Sequence, residues 1–418
     1  MCGTDTATGG RVIKNSTVPP PCNHNPPVSE STENGTRSVV NNLSSEIPLN
    51  LDHGDPRMFE SYWKKVGDRC KFTIEGHESL SYFANPKNLC WFLEPKLEEE
   101  IKKLHKMVGN VKVEEEEDQF IIVGNGSSQL IQAAFYALSP LDDSNPINVV
   151  SAAPYYSCYP EMADLLKSGL YKWGGDAHSF NDKEEPFIEM VTSPNNPSGV
   201  IREPVVNGGG AKGKVIYDLA YYWPQYTPIT AKLDHDLMLF TVSKCTGHAG
   251  SRIGWAIVKD KEVAKRMIKF MEISTIGVAK ESQLRAAKLL GVISDSCSNV
   301  WSPNFESFFE YGHLVLKERW EKLREVVKKN PLLSLQKYPL QYCHFFGDFS
   351  ESHPAFAWMN CKNGSKDLEK ILRGNKILVR SGRRFGTDPN YVRISMVCKE
   401  EEFNLFLQRL STIKEISD

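Results

Sequence analysis

The sequence lacks a long run of apolar residues, and it lacks a strong excess of charge of either sign. Its 418 residues include 50 Lys and Arg against 52 Asp and Glu, for a formal net charge of -2. A near-neutral balance argues against general affinity for nucleic acid or for anionic membranes, and the absence of a long apolar run excludes a spanning helix. We therefore expect a soluble protein that acts on small molecules.

Paired cysteines are also missing. The ten cysteines are scattered, with no CxxC pair and no cluster of metal-ligand spacing, which is typical of reduced thiols in an intracellular protein. The first residues, Met-Cys-Gly-Thr-Asp, lack the apolar core of a secretory signal. These features predict a cytoplasmic protein without a metal site.

Composition divides the chain into segments. The first residues are rich in Pro, Ser, Thr, Asn and Gly, and such a segment buries too little surface to offset its ordering entropy. We predict a disordered tail over 1–47, an N-terminal segment over 48–95, a large α/β domain over 96–300 and a small α+β domain over 301–418.

Short apolar runs alternate with helical patterns in the predicted large domain. Runs that are uniformly apolar and bounded by turn residues are typical of strands buried on both faces of a mostly parallel sheet. Leu130, Ala134 and Leu138 share one face of a helix between two such runs. The pattern predicts an open α/β sheet sandwiched by helices. The runs are Phe120–Val123, Ile147–Val150, Ile188–Val191, Val215–Tyr217 and Leu237–Phe240.

The last part of the chain has a different pattern. A long amphipathic helix is predicted from about Phe305 to Lys329, followed by short mixed segments and a final helix from about Glu401. This mixture predicts the smaller α+β domain.

A lysine follows the last apolar run of the large domain. Lys244 comes after Thr241 and Ser243, and Arg252 follows eight residues later. A buried lysine with a lowered pKa can form an imine with an aldehyde cofactor, and hydroxyls with an arginine fork can bind phosphate. By itself, a Ser-Lys pair beside glycines is more often a surface turn.

Asp218 and Tyr221 follow another apolar run. A carboxylate in this place can pair with a protonated pyridine nitrogen, which makes the ring an electron sink, and Tyr221 can hydrogen-bond the phenolic oxygen of the ring. An isolated Asp after a strand is more often a helix N-cap.

Two further loops carry polar groups. Asn196 lies in a rigid loop with two prolines and a glycine, and Ser127 and Ser128 begin a helix where backbone N–H groups favour an anion. A plain turn and ordinary N-capping are the alternatives. Because ligands bind beyond the carboxyl ends of strands in open α/β sheets, we expect Ser127, Asn196, Asp218 and Lys244 to converge.

Together these residues resemble those of fold-type I pyridoxal-phosphate (PLP) enzymes. Longer stretches are similar to the plant tryptophan aminotransferases of auxin biosynthesis and to their relatives, the alliinases. These stretches are Leu51–Pro56, Met190–Gly199, Tyr221–Pro224, Ser243–Trp255 and Tyr391–Met396.

The resemblance implies a role for each site residue. Lys244 would hold PLP as a Schiff base and act in catalysis with Asp218 and Tyr221. Asp218 would face the pyridine nitrogen, Asn196 and Tyr221 the ring oxygen, and Tyr156 would stack on the ring. The implied phosphate ligands are Ser127, Ser128, Thr241, Ser243 and Arg252.

Two implied roles concern the substrate and a second subunit. Arg393 matches the arginine that binds the substrate α-carboxylate. Tyr82 matches the tyrosine that reaches the phosphate of the partner subunit, which implies a homodimer with active sites at the interface.

The resemblance implies transamination of L-tryptophan with a 2-oxo acid, pyruvate, to give indole-3-pyruvate and alanine, in indole-3-acetic acid (auxin) biosynthesis. One alternative is an alliinase-type C–S lyase acting on cysteine sulfoxides, and another is an inactive regulatory protein on the PLP fold. Alliinases carry a secretory signal and a cysteine-rich segment before this domain, and this sequence shows neither, which favours the aminotransferase.

Overall fold

The computed structural model of the protein describes residues 47–113, 119–140, 145–181, 185–206, 212–298, 306–362 and 366–413. The chain divides into two units, Met1–Ile47 and Pro48–Asp418, and every element named below belongs to the second. The predicted disordered tail, 1–47, lies outside the described residues apart from Ile47. Among the described helices, none has both the length and the apolar character needed to span a bilayer.

The strands are β1 (Leu49–Asn50), β2 (Phe120–Gly124), β3 (Ile147–Ser151), β4 (Tyr171–Asp176), β5 (Phe187–Thr192), β6 (Gly213–Asp218), β7 (Leu237–Thr241), β8 (Gly254–Val258), β9 (Leu333–Leu335), β10 (Gln341–Cys343), β11 (Asp348–Ser350), β12 (Phe356–Cys361), β13 (Ile377–Leu378), β14 (Arg380–Ser381) and β15 (Tyr391–Ser395). The helices are α1 (Glu60–Val66), α2 (Pro95–Val108), α3 (Ser127–Leu138), α4 (Tyr159–Asp164), α5 (Val242–Cys245), α6 (Lys261–Thr275), α7 (Lys280–Cys297), α8 (Phe308–Lys328), α9 (Leu368–Gly374) and α10 (Glu400–Ser411). Short 3-10 segments cover Arg57–Phe59, Gly67–Cys70, Ala177–Ser179, Ala249–Ser251 and Gly382–Phe385.

The central sheet has the order β2-β8-β7-β6-β5-β3-β4. Only β8 runs against its neighbours in this sheet, and all the other pairings are parallel. Every residue of β5, β7 and β8 is buried, so both faces of the sheet are covered. The five predicted strands are confirmed as β2, β3, β5, β6 and β7, and the helix-flanked, mostly parallel sheet is confirmed with them.

A second sheet of four antiparallel strands, ordered β14-β15-β12-β9, lies in the last part of the chain. Strand β1 pairs in parallel with β13, which joins the segment after Pro48 to this region. The mixture of α8 to α10 with these strands is the predicted α+β pattern, while the domain boundary near residue 300 stays a prediction.

Helix α8 begins later than predicted. Its first residue is Phe308, not Phe305, because Ser307 and Glu310 form a reciprocal cap. The Ser307 hydroxyl accepts from the backbone N–H of Glu310 at 3.3 Å, and the Glu310 carboxylate accepts from the backbone N–H of Ser307 at 2.9 Å. Such a box satisfies two unpaired donors and fixes the helix start. Phe305 itself lies outside the described residues.

A buried histidine connects α2 to the central sheet. The Trp255 indole N–H donates to His105 Nε2 at 3.0 Å, and His105 Nδ1 lies 2.9 Å from Asn110 Oδ1. Because Nε2 accepts a hydrogen bond, the proton of the neutral ring must sit on Nδ1, where it is donated to Asn110. The imidazole also stacks against Trp223. The packing therefore requires a neutral ring.

This histidine should make stability depend on pH. Burial lowers the pKa of His105 from 6.5 to about 4, so the unfolded chain binds its proton at a higher pH than the folded chain. Its contribution is complete above pH 6.5 and is lost as the pH falls toward 4, by at most roughly 3 kcal/mol. Urea unfolding at several pH values measures the free energy of unfolding. As the pH falls from 6.5 toward 4, this free energy should decrease more steeply in the wild type than in His105→Gln. Equal slopes would contradict the assignment.

Candidate active site

The carboxyl ends of β2, β5, β6 and β7 meet around a cavity of about 330 Å³. Strand β8 runs in the opposite direction, so its amino end, just after Arg252, lies at the same edge of the sheet. Of the twelve site residues predicted from sequence, all but Tyr82 line this cavity. They are Ser127, Ser128, Tyr156, Asn196, Asp218, Tyr221, Thr241, Ser243, Lys244, Arg252 and Arg393.

One end of the cavity brings together groups that suit an anion. Helix α3 begins there at Ser127, and its first turn presents backbone N–H groups that have no partner within the helix. The preceding Gly126 has φ +77°, and a Cβ atom on it would lie 2.5 Å from a guanidinium nitrogen of Arg252. The glycine therefore allows Arg252 to lie against the helix start. Hydroxyls, N–H groups and a guanidinium at one point suit a phosphate.

Thr241 and Ser243 shape the same end. The Thr241 hydroxyl accepts from the backbone N–H of Ser243 at 3.2 Å and donates to the Ile253 carbonyl at 3.0 Å. Thr241 thus caps the start of α5, and this fixes the turn that carries Ser243 and Lys244. Direct contact of Thr241 with a phosphate stays a prediction.

Lys244 lines the same cavity. Its ammonium donates to the Gly54 carbonyl at 2.5 Å. A side chain at position 54 would come within 2.6 Å of the Phe356 ring and 3.2 Å of Lys244 Nζ, so the close approach requires glycine. Burial, helped by the positive charge of Arg393, lowers the pKa of Lys244 to about 8. Roughly a tenth of this amine is therefore neutral and nucleophilic at pH 7, far more than for a lysine with a pKa of 10.5.

Asp218 lies opposite, at the end of β6, and is buried. One carboxylate oxygen accepts from the Tyr159 hydroxyl at 2.8 Å and the other from the Ala220 N–H at 3.2 Å. The Tyr159 hydroxyl also lies 2.6 Å from the Thr192 hydroxyl. Burial raises the pKa of Asp218 despite these neutral donors. A cation against this carboxylate would favour its ionised form, as a protonated pyridine nitrogen does.

Arg393, on β15, forms the wall nearest the small sheet. Its guanidinium donates to Asn196 Oδ1 at 3.0 Å and to the Asp52 carbonyl at 2.5 Å, and it lies 4.1 Å from the centre of the Phe356 ring. Burial, reinforced by Arg380, lowers its pKa to about 10, so it stays charged at neutral pH. A fixed, desolvated guanidinium is suited to bind a carboxylate in two-point geometry.

Two tyrosines complete the lining. Burial raises the pKa values of Tyr156 and Tyr221, so both are neutral phenols that can donate a hydrogen bond. The Tyr156 ring packs edge-on against Tyr159, and Lys244 Nζ lies 5.8 Å from the centre of the Tyr221 ring. The cavity thus has aromatic lining from Tyr156 and Tyr221.

These features fit pyridoxal phosphate. The anion end suits its phosphate, the Lys244 amine suits its aldehyde, and the buried Asp218 suits its ring nitrogen. All three lie in one cavity of molecular size. The residues present therefore match the donors and charges of this cofactor.

Several residues of this site were not predicted as site residues. Asp52 and Arg380 are joined by hydrogen bonds across the chain, and Tyr159 supports Asp218. Tyr159 lies three residues after Tyr156 in the first turn of α4, and that spacing was a usable signal. Asp52 lies in the family-like stretch Leu51–Pro56, but no local pattern marks it or Arg380 as a site residue. The cavity is also lined by His53, Gly54, Cys158, Thr192 and Phe356.

Tyr82 lies outside the cavity. Its side chain is 69% exposed, next to Phe83, whose carbonyl accepts from Lys280 at 2.9 Å. The predicted contact of Tyr82 with a second subunit involves another chain and stays a prediction.

Comparison with known proteins places the chain among relatives of two activities. A family model described as "Allinase" matches residues 49–414. Tryptophan aminotransferase-related protein 2 of Arabidopsis thaliana is 54% identical over 87% of this chain and 81% of its own length. The protein of the same name from Oryza sativa subsp. japonica is 46% identical over 89% and 75%. An alliin lyase of Allium cepa is 35% identical over 87% and 75%.

Solved structures confirm the fold class. An aminotransferase from Staphylococcus aureus has a TM-score of 0.59 at 18% identity, over 88% of this chain and 94% of its own. The aspartate aminotransferase from Rhizobium meliloti has a TM-score of 0.59 at 17% identity, over 90% and 93%. At these identities the likeness shows the fold alone, which is that of the fold-type I aminotransferases.

Proposed function

Because this chain belongs to the alliinase family, we propose that it is a PLP-dependent aminotransferase. The observation that carries the proposal is the placement of Lys244 Nζ in one cavity with the Arg252 anion site and the buried Asp218. An amine with a lowered pKa, an anion site and a buried carboxylate are the three groups that this cofactor needs. The family match covers residues 49–414 and so includes all of them.

In this proposal the cavity residues share the work of holding the cofactor. Lys244 would bond its aldehyde carbon, Asp218 would pair with its ring nitrogen, and Asn196 and Tyr221 would donate to its ring oxygen. Tyr156 would stack against the ring. The residues proposed to hold the phosphate are Ser127, Ser128, Thr241, Ser243 and Arg252.

Three residues then perform the chemistry. When bound, pyridoxal phosphate supplies a ring that spreads the negative charge left by removal of the substrate α-proton. Arg393 holds the substrate carboxylate and so orients the Cα–H bond. Once the substrate amine has replaced it on the aldehyde carbon, Lys244 Nζ would be free to accept the α-proton and to return it to that aldehyde carbon. Asp218 would keep the ring nitrogen protonated. Positioned proton transfer of this kind contributes roughly 10²–10⁴-fold to the rate.

We further propose L-tryptophan as amino donor and pyruvate as acceptor, giving indole-3-pyruvate and alanine in indole-3-acetic acid (auxin) biosynthesis. The names of the relatives at 54% and 46% identity support tryptophan. The aromatic wall of Tyr156, Tyr221 and Phe356 is compatible with an indole side chain.

The proposal includes a cytoplasmic homodimer in which Tyr82 of one subunit reaches the phosphate of the other. The exposure of the Tyr82 side chain, 69%, leaves it accessible to another chain. The segment 48–95 would then form part of the dimer contact, with residues 96–300 as the cofactor domain and 301–418 as the small domain.

A panel of amino acids and 2-oxo acids, assayed with purified protein loaded with PLP, tests the function. We expect tryptophan with pyruvate to give the highest kcat/KM, with indole-3-pyruvate and alanine formed in equal amounts. A different preferred pair would overturn the substrate assignment but keep the aminotransferase. A colourless protein that ignores added PLP would instead support an inactive regulatory protein.

The second candidate function is that of a C–S lyase, and the similarity to an alliin lyase supports it. The alliin lyase relative is 35% identical over 87% of this chain, and the family match over residues 49–414 includes every residue that lines the cavity. Loss of the same α-proton can lead to elimination of a β-substituent in place of transamination. Release of pyruvate from a cysteine sulfoxide with no 2-oxo acid present would favour the lyase, whereas strict dependence on an acceptor favours the aminotransferase.

A further inference from the structure

Two arginines, Arg393 and Arg380, line the cavity, but their surroundings differ. The Arg393 side chain is 3% exposed, and its hydrogen bonds go to neutral oxygens of Asn196 and Asp52. Its Nε atom is buried and has no hydrogen-bond partner among the described residues. Arg393 thus retains its charge and a free donor for a ligand.

The charge of Arg380, in contrast, is paired with a carboxylate. Its Nε donates to Asp52 Oδ1 at 2.5 Å, one terminal nitrogen donates to Asp52 Oδ2 at 3.3 Å, and the other donates to the Ser157 hydroxyl at 3.1 Å. The Asp52 carboxylate also lies 4.0 Å from Arg393 but bonds it only through the backbone carbonyl. Two hydrogen bonds to one carboxylate orient the Arg380 guanidinium and also neutralise its positive charge.

We propose that Asp52 is a specificity-determining residue, which neutralises Arg380 and thereby limits the cavity to substrates with a single carboxylate. A monocarboxylic amino or 2-oxo acid would pair with Arg393 alone. A second carboxylate, as in aspartate, glutamate or 2-oxoglutarate, would meet an arginine that is already occupied, and it would approach the negative charge of Asp52.

The inference deepens the proposed function and rests on it, because it assigns the cavity to amino and 2-oxo acids. In this proposal the cavity excludes a second carboxylate because Arg380 is paired with Asp52, and not because a second arginine is absent. Replacing the carboxylate of Asp52 with an amide would leave Arg380 with an uncompensated charge beside Arg393. Both arginines could then bind the two ends of a dicarboxylic acid.

Asp52→Asn is the deciding variant, since the amide keeps the size of the side chain and removes its charge. Calorimetric titration of PLP-loaded protein with succinate and with butyrate measures binding without turnover. The ratio of kcat/KM for 2-oxoglutarate to that for pyruvate measures the same preference in the reaction. We expect both preferences for the dicarboxylate to rise roughly tenfold to a hundredfold in Asp52→Asn, the scale of one added hydrogen-bonded charge pair.

Two controls isolate the pair. Asp68→Asn removes an equal charge from an exposed ion pair with Lys71 and should leave both ratios unchanged. The double variant Asp52→Asn with Arg380→Gln should lose the gain, because the freed cation is gone. A gain that persists without Arg380 would assign the effect to another residue and overturn the proposal, as would a wild type that already prefers succinate.

A third variant covers the case in which Asp52→Asn fails to fold. Arg380→Gln removes the hydrogen-bonded partner of the Asp52 carboxylate, so repulsion from Asp52 should weaken succinate relative to butyrate, and a strengthening would refute the inference. If no variant transaminates any pair, the aminotransferase proposal fails, and the calorimetric arm still decides the role of Asp52. Active enzyme with an unchanged ratio in Asp52→Asn would reject the specificity role alone.

Discussion

Replacing Lys244 with alanine is expected to abolish transamination and to remove the visible absorbance of the bound cofactor. The substitution deletes the amine that bonds the aldehyde and that moves the α-proton, and the proton transfer alone is worth roughly 10²–10⁴-fold. Lys244→Arg should be equally inactive, because a guanidinium stays protonated and cannot act as a nucleophile. The measurements are steady-state turnover and the absorbance spectrum after addition of PLP.

The control for this pair is Lys259→Ala, which removes a lysine that pairs with Asp234 at 2.8 Å, outside the cavity. It should keep both turnover and colour. Small primary amines added to Lys244→Ala should restore part of the activity, since they supply the missing base. A coloured and active Lys244→Ala protein would contradict the assignment.

The lowered pKa of Lys244 adds a pH dependence to this prediction. The neutral amine is the reactive form, so covalent capture of PLP by the cofactor-free protein should speed up as the pH rises and level off above about 8. For an amine with the ordinary pKa of 10.5, the rate of capture would continue to rise above pH 8. Stopped-flow absorbance between pH 6 and pH 10 distinguishes the two profiles (a range chosen around the reference value for lysine).

The second large effect is expected for Asp218→Asn, with kcat reduced roughly 10²–10³-fold, as when a preorganised electrostatic group is lost from a site. An amide cannot balance a protonated ring nitrogen, so the ring would withdraw electrons less effectively. The protein should still bind PLP through Lys244 and remain coloured. Loss of turnover with retained colour therefore separates this role from that of Lys244.

Tyr159→Phe should affect the same carboxylate, but less strongly than Asp218→Asn does. It removes one hydrogen bond to the Asp218 carboxylate and should lower kcat by about tenfold. Because that bond lowers the pKa of Asp218, its loss should raise the pKa and move the acidic limb of the kcat/KM profile to higher pH. An unchanged limb would mean that Tyr159 only fills space. Activity of Asp218→Asn close to wild type would contradict the role of the carboxylate itself.

The sequence was sufficient to predict β2, β3, β5, β6 and β7 of the seven-stranded central sheet, whereas β4 and β8 were not predicted. Strands buried on both faces are uniformly apolar, so β5 and β7 could be recognised without knowledge of their neighbours. Lys244 and Asp218 follow such strands directly, and parallel strands bring their carboxyl ends together. Arg393, far along the chain, was assigned only through the family resemblance.

Contacts between distant segments could not be predicted. Asp52 and Arg380 are 328 positions apart, and no periodicity connects them. The fit of Arg252 against Gly126 depends on an antiparallel strand, β8, inserted between β2 and β7. The start of α8 was predicted too early, although Ser307 and Glu310 have the spacing of a capping box and so marked it in the sequence. Local signals identify single elements, whereas tertiary packing sets which side chains pair.

One measurement tests the central claim most directly: reduction of the PLP-loaded protein with borohydride, proteolysis and mass spectrometry of the peptides. The account predicts one phosphopyridoxyl group per chain, attached to Lys244, and none in a sample of Lys244→Ala treated in the same way. Stable attachment to a different lysine, or a wild-type protein that carries no such group, would contradict it.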